Sequence, residues 1–241
     1  MMKKAIIFDL YGTLIDIHTD EDNPLFWQQM EIYFGYYGVF YDNLKEAYDQ
    51  AVRYYLDKES ADYPDIEILD VFNKLFMDKG VIVDKASLLQ TATTFRLLST
   101  DYLQLYPYAK DLLGLLNKSD LKVILLSNAQ SAFTLNELKL LGIDKDFDRI
   151  YISSDYKLSK PDKKFYEIML EKEGLDASEC VYIGNDHTTD IKGANGVGMD
   201  AVYLYTNCSS PMDEDFDCLH KIIPGDLKAL IEIAKKWTSK V

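Results

Sequence analysis

Short runs of apolar, β-branched residues recur along the chain, and helical segments separate the later ones. The runs are Ala5–Phe8, Lys122–Leu126, Arg149–Ile152, Cys180–Ile183 and Ala201–Leu204. Strands that are apolar throughout are buried on both faces, as in a parallel sheet. The intervening segments Ala129–Leu141, Asp162–Glu173 and Thr188–Gly196 have helical spacing, and Gly225–Trp237 closes the chain in the same way. This alternation predicts right-handed βαβ units in an α/β fold, a doubly wound parallel sheet.

One region breaks the alternation. From Ile17 to Leu103 the spacing is helical, with no convincing pair of strands. It is rich in aromatics, among them Trp27, Tyr33, Phe34, Tyr48 and Tyr54. A block of about 85 residues is too long for an ordinary loop. It reads as an inserted all-α cap spanning 17–103, with 1–16 and 104–241 forming the α/β core. Pro107 and Tyr108 restart the core, with a helix expected around Asp111–Asn117. The aromatics are expected mainly to build the insertion's own core. Within it, the stretch Tyr33–Gly38 is the best candidate to face a ligand.

Composition limits the partners. The formal net charge is −14, and residues 18–103 hold sixteen Asp or Glu against seven Lys or Arg. Such a chain repels nucleic acid and acidic membranes. No apolar run approaches the ~18 residues a membrane span needs. The apolar start is short and interrupted by Asp9, unlike a signal peptide. Cys180, Cys208 and Cys218 contain no CxxC pair and leave one cysteine over, which points to a reducing cytoplasm. Nothing in the sequence speaks to oligomeric state.

Chemistry gathers where strands end. The first run ends in Asp9 and the Lys122 run in Ser127-Asn128. The Cys180 run ends in Gly184-Asn185-Asp186, with Asp190 close behind, and Lys160-Pro161 precedes a helix. Open α/β sheets bind ligands beyond the carboxyl ends of their strands. Taken singly, Ser127, Asn128 and Asp190 serve equally well as helix caps, and a lone lysine is usually solvated. Together they place acids, amides, a hydroxyl and an amine at one edge.

In that order and spacing the chain resembles the haloacid dehalogenase (HAD) superfamily. FDLYGTL resembles its first motif, LLSN its second, KLSKPDKKFY its third and YIGNDHTTDIKGANGVGM its fourth. The insertion falls where that family carries a helical cap of its first type. The resemblance implies a Mg²⁺-dependent hydrolase, most simply a phosphatase acting on a small phosphorylated metabolite. Asp9 would be the nucleophile and would form an aspartyl-phosphate. Lys160 would supply positive charge. Gly12, Thr13, Ser127 and Asn128 would bind the phosphoryl group. Mg²⁺ would be held by Asp9, the Tyr11 carbonyl and an acid of the fourth motif. There the usual Asp after glycine is Asn185, so Asp186 is expected as the direct ligand, with Asn185 its rival and Asp190 in support. His187 is expected to face solvent without a role.

The second departure is Tyr11. Family phosphatases usually carry an Asp there to protonate the leaving group, and a phenol with a pKa near 10 is a poor substitute. Three readings follow. One is a phosphatase whose leaving group needs little protonation, such as an aryl or acyl phosphate, or which takes an acid from the cap. Another is a metal-free 2-haloacid dehalogenase, whose relatives share DxYGT. The third is a binding protein on the same scaffold. The dehalogenase reading lacks a cap arginine at the expected distance, since the first arginine is Arg53.

Overall fold

The computed structural model describes residues 3–212 and 215–238. Its centre is a six-stranded parallel sheet. The strands are β1 (Ala5–Phe8), β4 (Lys122–Ser127), β5 (Arg149–Ile152), β6 (Cys180–Gly184), β7 (Asp200–Leu204) and β8 (His220–Ile222), in the order β5-β4-β1-β6-β7-β8. β1 lies between β4 and β6, with Ile6 level with Val123 on one side and Val181 on the other. The chain adds strands to one side of β1 and then returns to the other, so a crevice opens at the carboxyl end of β1.

Alternation along each strand divides the core in two. Ile6, Phe8, Val123, Leu125, Val181 and Ile183 face α5 (Ala109–Leu116) and α10 (Leu227–Thr238), together with Leu138 of α6 (Ser131–Leu141). Ala5, Ile7, Ile124, Leu126 and Tyr182 face α8 (Lys163–Glu173) and α9 (Lys192–Gly196) on the opposite side. A short helix, α7 (Ser153–Tyr156), follows β5. Each fully buried Leu or Ile contributes about 1.5–3 kcal/mol. Truncation of the fully buried Leu113 to Ala is expected to cost about 2–5 kcal/mol.

The 17–103 stretch contains four helices: α1 (Pro24–Gly35), α2 (Leu44–Leu56), α3 (Ile68–Met77) and α4 (Lys85–Ser99). Their starts are encoded locally. Asn23 caps α1 through the Leu25 amide at 3.0 Å, with Pro24 at the first helical position. Asn43 and Asp84 cap α2 and α4. The helices share an apolar cluster built on Phe26, Met30, Phe34, Phe72, Phe76 and Phe95, separate from the two sheet-facing clusters.

The absence of a strand pair in this stretch was a misreading. β2 (Ile15–Thr19) pairs antiparallel with β3 (Thr100–Leu105) and forms the stem on which the helices are carried. The ribbon is only half-buried and its outer face is polar. Tyr102 and Gln104 donate to the Asp16 carboxylate at 3.1 and 3.0 Å, so no apolar run marks it. β8, three residues long, was also not anticipated. No helix among the described residues is long and apolar enough to cross a membrane.

Candidate active site

Asp9 follows β1, and its backbone amide donates to the Ile183 carbonyl of β6 at 2.9 Å, which fixes its position between strands. Its carboxylate is buried. One oxygen accepts from the Ser127 hydroxyl at 2.9 Å and from Lys160 Nζ at 2.6 Å. The other accepts from Thr13 Oγ1 at 3.3 Å. Ser127 arrives from the end of β4, and Lys160 from the loop before α8. The Asn128 side chain bonds the Lys160 backbone on both sides, accepting from its N–H at 2.7 Å and donating to its carbonyl at 3.1 Å.

Lys160 uses its three donors fully. Nζ reaches Asp9, Asp190 Oδ1 at 2.7 Å and the Tyr182 hydroxyl at 2.9 Å. Tyr182 in turn donates to the Leu126 carbonyl at 2.8 Å. Burial pulls the ammonium toward neutrality. Asp190 and Asp9 outweigh it and raise the pKa of Lys160, so it stays charged. Burial pushes the Asp190 carboxyl above its usual range, with Lys160 pulling back. Tyr182 was not singled out from the sequence, because in an apolar strand its hydroxyl carries no distinguishing signal.

Gly12 has φ +81°, and a Cβ there would fall 2.4 Å from Asn185 Nδ2. The glycine thus allows both the turn and the close approach of the Asn185 amide. Asn185 is buried, and its Oδ1 accepts from the same Thr13 hydroxyl, at 3.2 Å, that reaches Asp9. Among the described residues no hydrogen bond is formed to the Tyr11 carbonyl.

Asp186 is engaged at the start of the following helix. One oxygen caps the following wide helical turn, His187–Ile191. It accepts from the Thr188 amide at 2.7 Å, the Thr188 hydroxyl at 2.6 Å and the Thr189 amide at 3.3 Å. The other accepts from Ser210 at 3.1 Å. Burial opposes these bonds, and together they still hold the carboxyl below its usual range. The Asp186 carboxylate is thus engaged as a helix cap, while Asn185 shares the Thr13 hydroxyl with Asp9. His187 is half-buried and stacks on Phe216 at a centroid distance of 5.0 Å rather than facing solvent.

Tyr11 points away from Asp9's ligands. Its hydroxyl donates to Glu137 of α6 and receives the Thr134 hydroxyl at 2.9 Å. Arg96, from α4, lies over the Tyr11 ring at 5.4 Å and pairs with Glu137 at 2.6 Å. Burial, reinforced by Glu137, raises the phenol far above its ordinary pKa, with Arg96 only partly opposing. Neither Arg96 nor Glu137 was visible as a site residue in the sequence, because they lie far apart in the chain on segments that read as ordinary helices.

A cavity of about 410 Å³ lies between the sheet edge and the helical insertion. Tyr11, Asn128, Ala129 and Gln130 line it from the core side. Tyr48, Val52, Ile66, Ile68 and Phe95 supply apolar walls, while Glu21 and Arg96 bring charge. Gln130 closes one side by accepting from the Ile68 amide at 2.9 Å and donating to the Ile66 carbonyl at 2.9 Å. Tyr33–Gly38, the anticipated ligand-facing stretch, does not line this cavity. Phe34 is buried in the helical core and Tyr36 is exposed.

Among the described residues no three His, Cys, Asp or Glu are grouped to hold a metal. The Asn185 side-chain oxygen, which shares the Thr13 hydroxyl with Asp9, is a hard donor suited to Mg²⁺ but uncharged.

Comparison with known proteins agrees with the motif order. Residues 3–198 match the family model of haloacid dehalogenase-like hydrolases. A glyceraldehyde 3-phosphate phosphatase of Methanocaldococcus jannaschii is 27% identical over 184 residues, 70% of this chain and 80% of the relative. An (S)-2-haloacid dehalogenase 4A of Burkholderia cepacia is 22% identical over 239 residues, 91% and 90% of the two chains. In three dimensions, a 2-haloacid dehalogenase from Pseudomonas syringae pv. Tomato superposes with a TM-score of 0.67 at 19% identity, covering 98% of this chain and 100% of the other. With this sheet order, these motifs and the match across most of its length, the chain belongs to the haloacid dehalogenase-like hydrolases.

Proposed function

We propose that the protein is a phosphatase acting on a small phosphorylated metabolite, with Asp9 as nucleophile and the helical insertion as a cap that closes over the substrate. The observation that carries this reading is the setting of the Asp9 carboxylate. It is held at a strand end by Ser127, Thr13 and Lys160, and the neighbouring Tyr11 and Asn128 line a cavity far larger than a single phosphoryl group. An Asp9 oxygen attacks phosphorus, the ester P–O bond breaks, and the leaving oxygen takes a proton from solvent. Water then attacks the phosphorus of the aspartyl-phosphate and releases phosphate and Asp9. Ser127 and Thr13 orient the carboxylate, and Lys160 offsets its charge as the phosphoryl anion approaches.

Tyr11 has no part in that proton transfer. Its hydroxyl is committed to Glu137 and its pKa is raised. Leaving groups of low basicity, aryl or acyl, are therefore favoured. Mg²⁺ would be held by Asp9, the Tyr11 carbonyl and Asn185, and would supply charge that offsets the phosphoryl oxygens. Because only Asp9 of these is anionic, the substrate's phosphate would complete the site.

A second reading, hydrolysis of 2-haloacids, is favoured by one observation: Arg96 brings a cap-side cation to the cavity that the sequence did not reveal. Against it, Arg96 is already paired with Glu137 and the cavity also holds Glu21. Phosphate release from a panel of aryl, acyl and alkyl phosphates, with and without Mg²⁺ and with Asp9→Asn as the blank, tests the proposal. Release that needs Asp9 supports it. Chloride release from haloacids with no phosphate release would replace it with the second reading.

A further inference from the structure

One charged side chain lining the cavity makes no hydrogen bond or ion pair among the described residues. Arg96 is paired with Glu137. The Gln130 amide is bonded to the Ile66 carbonyl and the Ile68 amide, and the Asn128 amide to the Lys160 backbone. Glu21, which lines the same cavity, is left: among the described residues no group hydrogen-bonds its carboxylate. Only its backbone carbonyl is engaged, accepting from the Trp27 indole at 2.7 Å. Burial pushes the carboxyl above its ordinary pKa, and the charges of Arg96 and Lys45 only partly offset that. Glu21 is half-buried, so a cation or donor bound in the cavity would replace the hydration that burial has removed.

Resting on the phosphatase reading, we propose that the substrate's leaving group carries a protonated amine on an apolar body, and that Glu21 is the residue that selects it. The body packs against Val52, Ile66, Ile68 and the aromatic rings of Tyr48, Phe95 and Phe133. Aromatic faces also favour an ammonium group beside them. The phosphate end lies toward Asn128 and Tyr11, where the cavity meets the loops that hold Asp9. An anion at one end and a cation at the other match a site with Lys160 below and Glu21 above. The acidic excess of residues 18–103 disfavours a substrate with a second anionic group in place of the amine.

Two matched pairs of probes test this. The first is para-aminomethylphenyl phosphate against its near-isostere para-ethylphenyl phosphate, read as phosphate release. The second is the corresponding pair of benzylphosphonates, which cannot be hydrolysed, read as Kd by calorimetry. The amine is expected to be favoured by about tenfold or more in kcat/KM and in Kd, the size of one charge-assisted contact. Glu21→Gln is expected to reduce that preference to about twofold, and Glu21→Asp to retain part of it. Equal affinities for the two phosphonates, or no binding of either, overturns the proposal, as does a preference that survives Glu21→Gln. An amine preference in binding with no phosphate released from either ester would leave Glu21's role standing and remove the phosphatase reading.

Discussion

Arg96 of α4 and Glu137 of α6 form a largely buried ion pair, 2.6 Å long, that joins the helical insertion to the core. The Tyr11 hydroxyl donates to the same carboxylate, and the Arg96 guanidinium covers the Tyr11 ring. The residue that departs from the family's phosphatase pattern is thus part of the joint between the two regions. Glu137→Gln or Arg96→Met is expected to cost about 3 kcal/mol, because each leaves a buried charge unpaired. The double variant Arg96→Met/Glu137→Gln should cost less than the sum. Denaturant unfolding of the four proteins measures this, and additive losses would mean that the pair is not coupled.

Tyr11→Phe removes one donor from Glu137 and no proton from the proposed chemistry. Stability should fall by about 1–2 kcal/mol, while kcat changes by less than about threefold. A loss of 10²-fold or more, the scale of a missing general acid or base, would place the phenol in the reaction.

Mg²⁺ affinity should depend on phosphate. In the proposed metal site Asp9 is the one anionic donor beside the neutral Asn185 and Tyr11 carbonyl, and Mg²⁺ commonly relies on substrate phosphate to complete such sites. Calorimetry is expected to find weak binding of Mg²⁺ alone and at least about tenfold tighter binding with a saturating phosphonate. Asn185→Asp should strengthen binding of the metal alone. Equal affinity with and without phosphonate contradicts this account of the donor set.

Glu173 closes α8 against the sheet. Its buried carboxylate takes Lys122 Nζ at 2.9 Å and the Tyr151 hydroxyl at 2.7 Å. Burial pushes its pKa up, but Lys122 and Tyr151 bring it below 4.5. A depressed folded-state pKa means that the stabilisation is complete above the unfolded value. It is lost as pH falls through 4.5 toward the folded value. Glu173→Gln should therefore flatten the acid limb of the stability curve and cost about 1–3 kcal/mol at neutral pH. An unchanged acid limb would mean that the contact contributes nothing to acid sensitivity.

The sheet was legible because β1, β4, β6 and β7 are buried on both faces, which leaves a nearly continuous apolar signature. Asp9, Ser127 and Lys160 were legible because they stand where such strands end or just beyond. The β2–β3 ribbon was not, since its pairing joins residues about 85 apart and its polar face resembles a helix surface. Asp186 illustrates a different limit. An acid before a helix reads equally well as a cap or a ligand, and the Thr188, Thr189 and Ser210 contacts that make it a cap come from folding, not from spacing. Arg96, Glu137 and Glu21 acquire their meaning from a cavity formed by distant segments, which no local spacing encodes.

The central claim, that Asp9 attacks phosphorus, is tested most directly by acid-quenching the protein during turnover of an aryl phosphate and measuring the mass of the peptide containing Asp9. The account predicts a phosphoryl group on Asp9 in the wild type and none in Asp9→Asn. Phosphate released with Asp9 never modified, or heavy oxygen from solvent water entering the Asp9 carboxylate during haloacid turnover, would contradict it.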